Sequence, residues 1–385
     1  MKIVLVAGFF NHYMNPFIEE LNQIEGCEAY FFETEQMSEL RKKGGFKLYQ
    51  ESEKFIRAWK DDASKQKMEQ LVMDADIVIY SSLNKKLEWQ RLRQNKITFE
   101  MSERPLKKGW LNMFSKVCMK NQYYYHTKFY NKPVYMLALS AYLPNDEYRM
   151  HAFKNRCYKF GYFSRIPDHD IDKLLSEKPK DKIRIFWCAR FIDWKHPELP
   201  VLLAERLVKD GYNFEINMVG SGKLYGQTEK LIKRKSLEKY VHLLGVIPND
   251  EVLKKMSQHH IFLLTSDHHE GWGVVLNESM GQGCCPVAAD EIGAVPYLIR
   301  HQENGVIFKA RDLDSLHNSI VELMKEPYKI ENLAREAYKT VSETWNPKGA
   351  AHRFYGLASS MLKGDRFPYE EGICSKAEPL NYWKK

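Results

Sequence analysis

The chain has 385 residues, which is long enough for two domains. It is 44% hydrophobic and 28% charged, a composition typical of folded globular proteins that argues against a fibrous or disordered chain. The formal net charge of +8 favours anionic partners over cationic ones.

Export and membrane insertion are not expected. Met1 and Lys2 lead directly into the apolar run Ile3–Ala7, which is typical of a strand and not of a signal peptide. The longest apolar candidate, Val134–Leu143, is shorter than the roughly 20 residues of a membrane-spanning helix. Seven cysteines without disulfide-module spacing favour a reducing compartment. We therefore expect a cytoplasmic protein.

The first half alternates apolar runs with polar or helical segments, which predicts an α/β domain over residues 1–165. The predicted strands are Ile3–Ala7, Cys27–Phe32, Asp76–Tyr80, Ile97–Glu100 and Val134–Leu137. The following residues, 166–181, are rich in Pro, Asp and Lys, and we interpret them as an interdomain linker.

Two loops of this half carry candidate ligand contacts. Gly8 and His12 follow the first strand, and His12 is as compatible with a solvent-facing position as with a ligand contact. Glu103 and Arg104 follow the strand Ile97–Glu100, so we expect them to project from the carboxyl edge of the sheet.

Basic residues alternate with aromatic ones between Lys85 and Lys132, as at Trp110 and Phe114. Such a segment is compatible with a nucleic-acid surface, with attraction to an anionic leaflet or a lipid-linked phosphate, or with a solvated helical face. No nucleic-acid motif accompanies it, so the first interpretation is the weakest.

The second half, residues 182–345, alternates strands and helices more regularly and predicts a parallel sheet covered on both faces. The predicted strands are Ile183–Cys188, Phe214–Val219, Val241–Leu244, Ile261–Thr265, Pro286–Ala289 and Val306–Phe308. The predicted helices are 197–209, 225–236, 250–258, 274–282, 293–300, 312–325 and 329–343.

Glu270 and Glu278 are the most informative pair of residues. Glu270 follows a buried strand, and Glu278 lies about one turn inside the next predicted helix. A helix N-terminus attracts phosphate, and Gly273 lets the backbone approach a ligand closely. The pattern suits a phosphorylated sugar nucleotide whose hydroxyl groups donate hydrogen bonds to the two carboxylates.

Four further segments follow predicted strands, where open α/β sheets bind ligands. Arg190 and Lys195 offer two cations to one pyrophosphate, although on their own they fit surface ion pairs better. The other three segments contain the residues Gly220, Gly222, Leu244, Gly245 and Gly293.

Taken in chain order, these five motifs resemble the donor half of the family 4 glycosyltransferases, over about residues 183–345. The resemblance implies an α/β GT-B fold: two facing Rossmann-like domains with the active site in the cleft between them. It also implies retaining transfer from a nucleotide diphosphate sugar without a metal or other cofactor. Residues 346–385 would form a helix that crosses back to the first domain, followed by a tail.

The resemblance also assigns roles. Arg190 and Lys195 would hold the donor pyrophosphate, Glu270 would contact the donor sugar near its reacting carbon, and Glu278 would contact the ribose. The remaining donor-binding residues would be Gly273, Val274, Gly220, Gly222, Leu244, Gly245, Gly293 and Gly8. Two residues of the loop at Gly293 depart from the family's usual pattern, Ala294 and Tyr297.

The first half resembles the acceptor half of glycosyltransferases from bacterial polysaccharide clusters. This resemblance implies a saccharide or polyprenyl-linked acceptor, contacted by His12, Glu103 and Arg104. A peripheral contact with the inner membrane leaflet would give the basic and aromatic segment a purpose.

Alternatives from other classes remain open. The chain would also fit a catalytically silent subunit that binds a sugar nucleotide, or a same-fold epimerase or phosphorylase, of which the phosphorylase would carry a lysine-bound pyridoxal phosphate. We expect no metal site at His259-His260 or His268-His269, because adjacent side chains point in different directions.

Overall fold

The computed structural model describes residues 1–37, 49–81 and 85–380. The chain divides into two units, each built around one parallel sheet. Unit 1 comprises Met1–Arg165 and Trp345–Lys385, and unit 2 comprises Ile166–Thr344. The prediction of two Rossmann-like α/β domains is confirmed.

Unit 1 has a seven-stranded sheet in the order β3-β2-β1-β4-β5-β6-β7, and all neighbouring strands run parallel. Its strands are β1 (Lys2–Ala7), β2 (Glu28–Glu33), β3 (Phe55–Arg57), β4 (Ile77–Ser81), β5 (Thr98–Ser102), β6 (Val134–Ala138) and β7 (Cys157–Lys159). Every residue of β1 after Lys2 is buried, as expected for a parallel strand with both faces covered.

The helices of unit 1 come from both ends of the chain. They are α1 (Asn15–Leu21), α2 (Asp62–Asp74), α3 (Lys86–Arg93), α4 (Lys116–Gln122), α5 (Leu143–Arg149) and the C-terminal α14 (Pro347–Lys363). The buried Phe354 of α14 packs edge-on against Phe17 of α1 and Phe99 of β5, with ring centroids 5.7 and 5.2 Å apart. The C-terminal segment therefore contributes to the core of unit 1.

Unit 2 has a six-stranded parallel sheet in the order β10-β9-β8-β11-β12-β13. Its strands are β8 (Ile183–Cys188), β9 (Phe214–Val219), β10 (Val241–Leu243), β11 (Ile261–Leu264), β12 (Cys285–Ala289) and β13 (Val306–Phe308). Its helices are α6 (Ile171–Ser176), α7 (Glu198–Lys209), α8 (Tyr225–Arg234), α9 (Asn249–Ser257), α10 (Val275–Gly281), α11 (Val295–Leu298), α12 (Leu313–Lys325) and α13 (Pro327–Lys339).

The first six strands of unit 1 and the six strands of unit 2 have the same order, which reverses at one point. The reversal lies between β1 and β4 in unit 1 and between β8 and β11 in unit 2. At such a switch point the loops leaving the two central strands diverge to opposite faces of the sheet, and the crevice between them is where open α/β sheets bind ligands.

The segment 166–181, predicted as an interdomain linker, instead belongs to unit 2 and contains α6. The buried Lys178 ammonium donates hydrogen bonds to the carbonyl oxygens of His259, at 2.6 Å, and of Gly283. The Tyr338 hydroxyl donates to the Pro167 carbonyl at 2.9 Å. The Pro-rich composition therefore marks a packed segment here.

Within the described ranges, no helix has the length and hydropathy needed to cross a bilayer.

Candidate functional site

The switch point of unit 2 brings together residues from two loops that lie far apart in the sequence. Lys195 ends a short 3-10 turn after β8, and Glu270 follows β11. The Lys195 ammonium forms an ion pair with Glu270 Oε2, and the two side chains are only 11% and 16% exposed. The Ser266 hydroxyl donates a hydrogen bond to the same carboxylate oxygen at 3.0 Å. Two predicted catalytic residues therefore contact each other.

Thr265 holds the two loops in this arrangement. Its hydroxyl donates to the Lys195 carbonyl at 2.6 Å and accepts from the Trp187 indole at 2.8 Å. Both Thr265 and Trp187 are fully buried. The backbone that carries Lys195 is thus fixed to the end of β11 by a satisfied buried network.

His196 and Asp267 form a second connection between the same loops. The ring nitrogens of His196 lie 2.9 Å from Glu198 and 3.3 Å from Asp267. Burial by itself would lower the pKa of His196, but its hydrogen bonds to the two carboxylates raise that pKa to about 9. Burial would raise the pKa of Asp267, and hydrogen bonds from His196 and His269 outweigh it and hold that pKa well below its usual range. The pair is therefore charged at neutral pH.

Arg190 has a different environment from Lys195. Its side chain is exposed, and its guanidinium lies 5.5 Å from the centre of the Trp194 ring. Among the described residues, no carboxylate forms an ion pair with Arg190. Among the described residues, the ion pair considered from the sequence therefore forms at Lys195, where it is mostly buried, and not at the exposed Arg190, which is available to an anion.

The loops after β8, β9 and β10 pack against each other through their backbones. Gly220 has φ +134° and Gly222 has φ +153°, and a Cβ at either position would collide with the backbone of Ala189 or Phe191. The Gly220 amide donates to the Gly245 carbonyl at 2.8 Å. These glycines allow the close loop packing that positions Arg190, which lies between Ala189 and Phe191. The motif therefore has a structural reason.

Glu278 lies in the first turn of α10. This helix begins at Val275, one residue after the predicted start. Its side chain is partly buried, and burial raises its pKa to about 7. Burial, followed by the neighbouring Glu278 charge, raises the pKa of Cys188 to about 12. Among the described residues, no hydrogen bond to the Glu278 carboxylate is found. This carboxyl group is therefore a candidate ligand contact.

The glycines around α10 bring the last loop to the same edge. Gly273 has φ +90°, and a Cβ there would lie 3.2 Å from Ile292 and 3.4 Å from Glu270. The Ala294 amide donates to the Trp272 carbonyl at 3.1 Å, which joins the loop at Gly293 to the loop that carries Glu270. Val274 directly precedes α10. All the predicted donor-half residues therefore lie at one edge of the unit 2 sheet.

The pair His268 and His269 differs from the geometry predicted for it. The rings of His268 and His269 lie side by side with centroids 4.2 Å apart, and with Asp267 they place ligand atoms within 4.8 Å of one another. However, Asp267 Oδ1 already accepts from the amide of His269 and lies 2.8 Å from its ring. Asp267 is therefore engaged in hydrogen bonds within the cluster, and the absence of a metal site at these histidines stays a prediction.

His259 and His260 have structural contacts. His259 Nε2 lies 2.9 Å from the Asn217 amide nitrogen, and His260 Nδ1 accepts from the Arg184 amide at 3.0 Å. Burial lowers the pKa of each histidine to about 4.

The predicted residues of unit 1 form a separate group. Gly8 follows β1 at the switch point of that sheet, and its carbonyl accepts from the Glu35 amide at 2.8 Å. His12 is partly buried with its ring 3.8 Å from that of Tyr13. Glu103 accepts from Tyr162 at 3.2 Å and pairs with Lys107 at 2.8 Å.

Arg104 does not occupy the position expected of an acceptor contact. Its side chain is fully buried and binds both oxygens of Asp146, each at 3.1 Å. The Leu106 amide donates to the same carboxylate at 3.2 Å. The geometry therefore gives Arg104 a structural role, because no part of its side chain reaches solvent.

Sequence reasoning missed the residues that support the site, namely Trp187, His196, Thr265, Ser266 and Asp267. A signal was present at one of them, because Asp267 directly precedes the histidine pair that adjoins Glu270.

Residues 169–340 match the model of the family Glycosyl transferases group 1. The glycosyl transferase match covers nearly all of unit 2, including every predicted residue of its site. Unit 2 is therefore similar to the group 1 glycosyl transferases over nearly its whole length, in agreement with the motifs of the sequence.

Two curated relatives are named as sugar transferases. The chain is 31% identical over 139 residues to the amylovoran biosynthesis glycosyltransferase AmsK of Erwinia amylovora, covering 35% of this chain and 34% of that protein. It is 22% identical over 188 residues to the poly(glycerol-phosphate) alpha-glucosyltransferase of Bacillus subtilis, covering 49% and 28%. The chain thus matches about a third of the length of these relatives.

A solved structure shares the fold over both units. Anabaena HepE in complex with UDP superimposes with a TM-score of 0.68 at 15% identity, covering 94% of this chain and 100% of that one. At this identity the similarity establishes the glycosyltransferase-type α/β fold.

Proposed function

We propose that this chain is a retaining glycosyltransferase that moves a sugar from a nucleotide diphosphate sugar to a saccharide or lipid-linked acceptor in cell-surface polysaccharide synthesis. The observation that carries the proposal is the Lys195–Glu270 ion pair at the switch point of unit 2. Arg190, on the same loop as Lys195, has no carboxylate partner in the described part of the chain.

Two cations suit the leaving group of this reaction. Nucleoside diphosphate gains negative charge as its bond to the sugar breaks, and fixed cations stabilise that charge most in the transition state. Arg190 would bind two phosphate oxygens through its guanidinium, and Lys195 would supply a point charge. With both cations in place, we propose that the transfer requires no metal ion.

The carboxylates suit the sugar and the ribose. When the diphosphate replaces Glu270 as the partner of the Lys195 ammonium, the Glu270 carboxylate can accept hydrogen bonds from the donor sugar. Glu278, which has no hydrogen-bond partner among the described residues, would accept from the ribose hydroxyls. We place the amides of Gly273 and Val274 near the phosphates.

Retention of configuration is supported by the name of a relative. The relative from Bacillus subtilis is named as an alpha-glucosyltransferase, and an α-linked product results from retention when the sugar of the donor is α-linked to its diphosphate. For a front-face substitution, the departing phosphate oxygen takes the proton of the acceptor hydroxyl as the new glycosidic bond forms. A separate general base is then unnecessary.

Unit 1 would bind the acceptor. Glu103 is held by Tyr162 and Lys107 and keeps about a third of its side chain exposed, so it is suited to orienting a hydroxyl group. Gly8 and His12 lie after β1, at the switch point of the unit 1 sheet. A cytoplasmic location follows from the proposed donor, because nucleotide sugars are the activated form used there.

The first test is thermal shift of the full chain with UDP-, GDP-, ADP- and CMP-sugars, without added metal. A ligand that binds only the folded chain raises its stability. A selective rise with one diphosphate sugar supports the proposal and identifies the base, whereas no rise at millimolar concentration contradicts it.

Turnover then separates an enzyme from a silent subunit. With the donor identified, NMR of the anomeric proton of the product tests retention. Donor binding without release of nucleoside diphosphate in the presence of lipid-linked saccharides would favour the silent subunit. A pyridoxal chromophore in the absorbance spectrum would favour a phosphorylase.

A further inference from the structure

A short segment of unit 1 presents an unusual amount of apolar surface. Thirteen large apolar side chains in the described part of the chain are at least 40% exposed, and six of them fall between residues 110 and 123. These six are Trp110, Leu111, Phe114, Val117, Met119 and Tyr123, and they are between 52% and 64% exposed. We refer to these six residues as the exposed apolar surface.

The segment that carries this surface folds with its apolar side outward. In α4 only Cys118 is buried, and it packs with Leu106 and Met150. Lys116, Met119, Lys120 and Tyr123 follow the i, i+3, i+4, i+7 spacing of one helical face, and all four are exposed. A helix of a water-soluble domain normally places its large apolar residues against the core instead.

The charged residues within the segment that carries the exposed apolar surface are all basic. Residues 104–132 contain six lysines, one arginine and no Asp or Glu. Lys108, Lys116, Lys120 and Lys128 have no ion pair with a carboxylate in the described part of the chain. Lys120 and Lys128 instead lie 5.0 and 5.3 Å from the ring centres of Trp89 and Tyr124.

We propose that the exposed apolar surface docks unit 1 onto an anionic lipid bilayer, with its side chains entering the headgroup region and the surrounding lysines contacting lipid phosphates. Apolar residues bordered by lysines are the composition of interfacial membrane-binding segments. The proposal deepens the proposed function, on which it rests for its purpose, since a lipid-linked acceptor would be met at that surface.

Two other occupants fit the composition less well. A second copy of this chain would bring the same lysines face to face, because a twofold interface is self-complementary. Nucleic acid would favour arginine and stacking aromatics, whereas the only arginine of residues 104–132 is the buried Arg104, and half of the exposed apolar surface is the aliphatic set Leu111, Val117 and Met119.

The test is cosedimentation of the full chain with vesicles of phosphatidylcholine alone or with about 30% phosphatidylglycerol, an anionic fraction chosen so that the bilayer attracts lysines. We expect binding to the anionic vesicles that weakens with salt. The variant Leu111→Ser/Phe114→Ser should bind at least tenfold more weakly, and Tyr328→Ser, an equally exposed residue of unit 2, should bind like the wild type. Lys116→Glu/Lys120→Glu should also bind the anionic vesicles at least tenfold more weakly than the wild type. Lys239→Glu/Lys325→Glu is the matched control.

Any of three outcomes would overturn the proposal. The first is failure of the wild type to bind anionic vesicles. The second is binding of both surface variants as tightly as the wild type. The third is a dimer that the wild type forms without vesicles and the surface variants do not form. Circular dichroism verifies that the variants fold. The vesicles contain no sugar nucleotide, so this test succeeds or fails independently of donor binding.

Discussion

Lys195 and Glu270 are separated by 75 residues in the sequence and form an ion pair across the switch point of the unit 2 sheet. The pair is mostly buried, and both residues lie on loops that are fixed by Thr265. In the proposed mechanism this contact is the resting form of the donor site, and donor phosphate replaces Glu270 as the partner of Lys195.

Removal of Glu270 should affect turnover and stability separately. We expect Glu270→Ala to reduce transfer at least about a hundredfold, because a positioned group that acts on the transition state is lost. The same change leaves Lys195 buried without its partner, which should cost roughly 3 kcal/mol of unfolding free energy. Turnover and urea denaturation measure the two effects.

The double variant Lys195→Met/Glu270→Ala provides the control for that change. It should recover most of the lost stability, since no uncompensated charge remains, while staying inactive. Wild-type turnover in a folded Glu270→Ala variant would remove Glu270 from the site.

Substitution of Arg190 should lower turnover with little effect on stability, because its side chain is exposed and has no carboxylate partner among the described residues. We expect Arg190→Ala to lower the turnover number at least about tenfold, since the guanidinium acts on charge that develops as the diphosphate leaves. Steady-state kinetics compare it with Arg234→Ala, an exposed arginine on α8. Equal rates in the two variants would exclude Arg190 from catalysis.

The sheet of unit 2 could be predicted closely from the sequence, and the reason is physical. A parallel strand covered on both faces is a continuous apolar run, and β8, β9 and β13 have the predicted bounds. β3 and β7 of unit 1 were missed, because each is only three residues long and ends in a charged residue, so neither is a continuous apolar run as the equally short β13 is.

The candidate site was predicted as a set of residues but not as a set of contacts. Arg190, Lys195 and Glu270 could be found because each follows a strand. The pairing of Lys195 with Glu270 depends on β8 and β11 being neighbours, which the chain order does not reveal. The burial of Arg104 depends on Asp146, 42 residues away, and a local pattern carries no information about such a partner.

Donor binding should depend on pH through Glu278. Burial raises the pKa of this carboxyl group to about 7, so near neutral pH it is partly protonated in the free chain. An ionised carboxylate accepts the stronger hydrogen bonds from ribose hydroxyls, so affinity should rise as the pH increases through 7. Isothermal titration with the identified donor between pH 6 and pH 8 measures this, and Glu278→Gln should flatten the profile; an unchanged profile in that variant would contradict the assignment.

Glu147 of α5 should make unit 1 less stable at alkaline than at acidic pH. Burial, followed by the neighbouring charges of Asp146 and Glu100, raises its pKa from the ordinary 4.5 to about 8. Between these values the unfolded chain has released the proton that the folded chain still holds, so stability falls as the pH rises from 4.5 to 8. The loss is at most about 5 kcal/mol, at about 1.36 kcal/mol for each pKa unit.

Glu147→Gln removes this titration, because glutamine stays neutral. We therefore expect the variant to be more stable than the wild type at pH 8, by an amount that shrinks toward pH 5. Urea denaturation followed by circular dichroism at several pH values measures the difference, and Glu25→Gln, at an exposed position of unit 1, should show none. A gain that is the same at pH 5 and pH 8 would mean that the substitution acts through packing, since only a buried carboxyl group that keeps its proton into the alkaline range produces a gain that grows with pH.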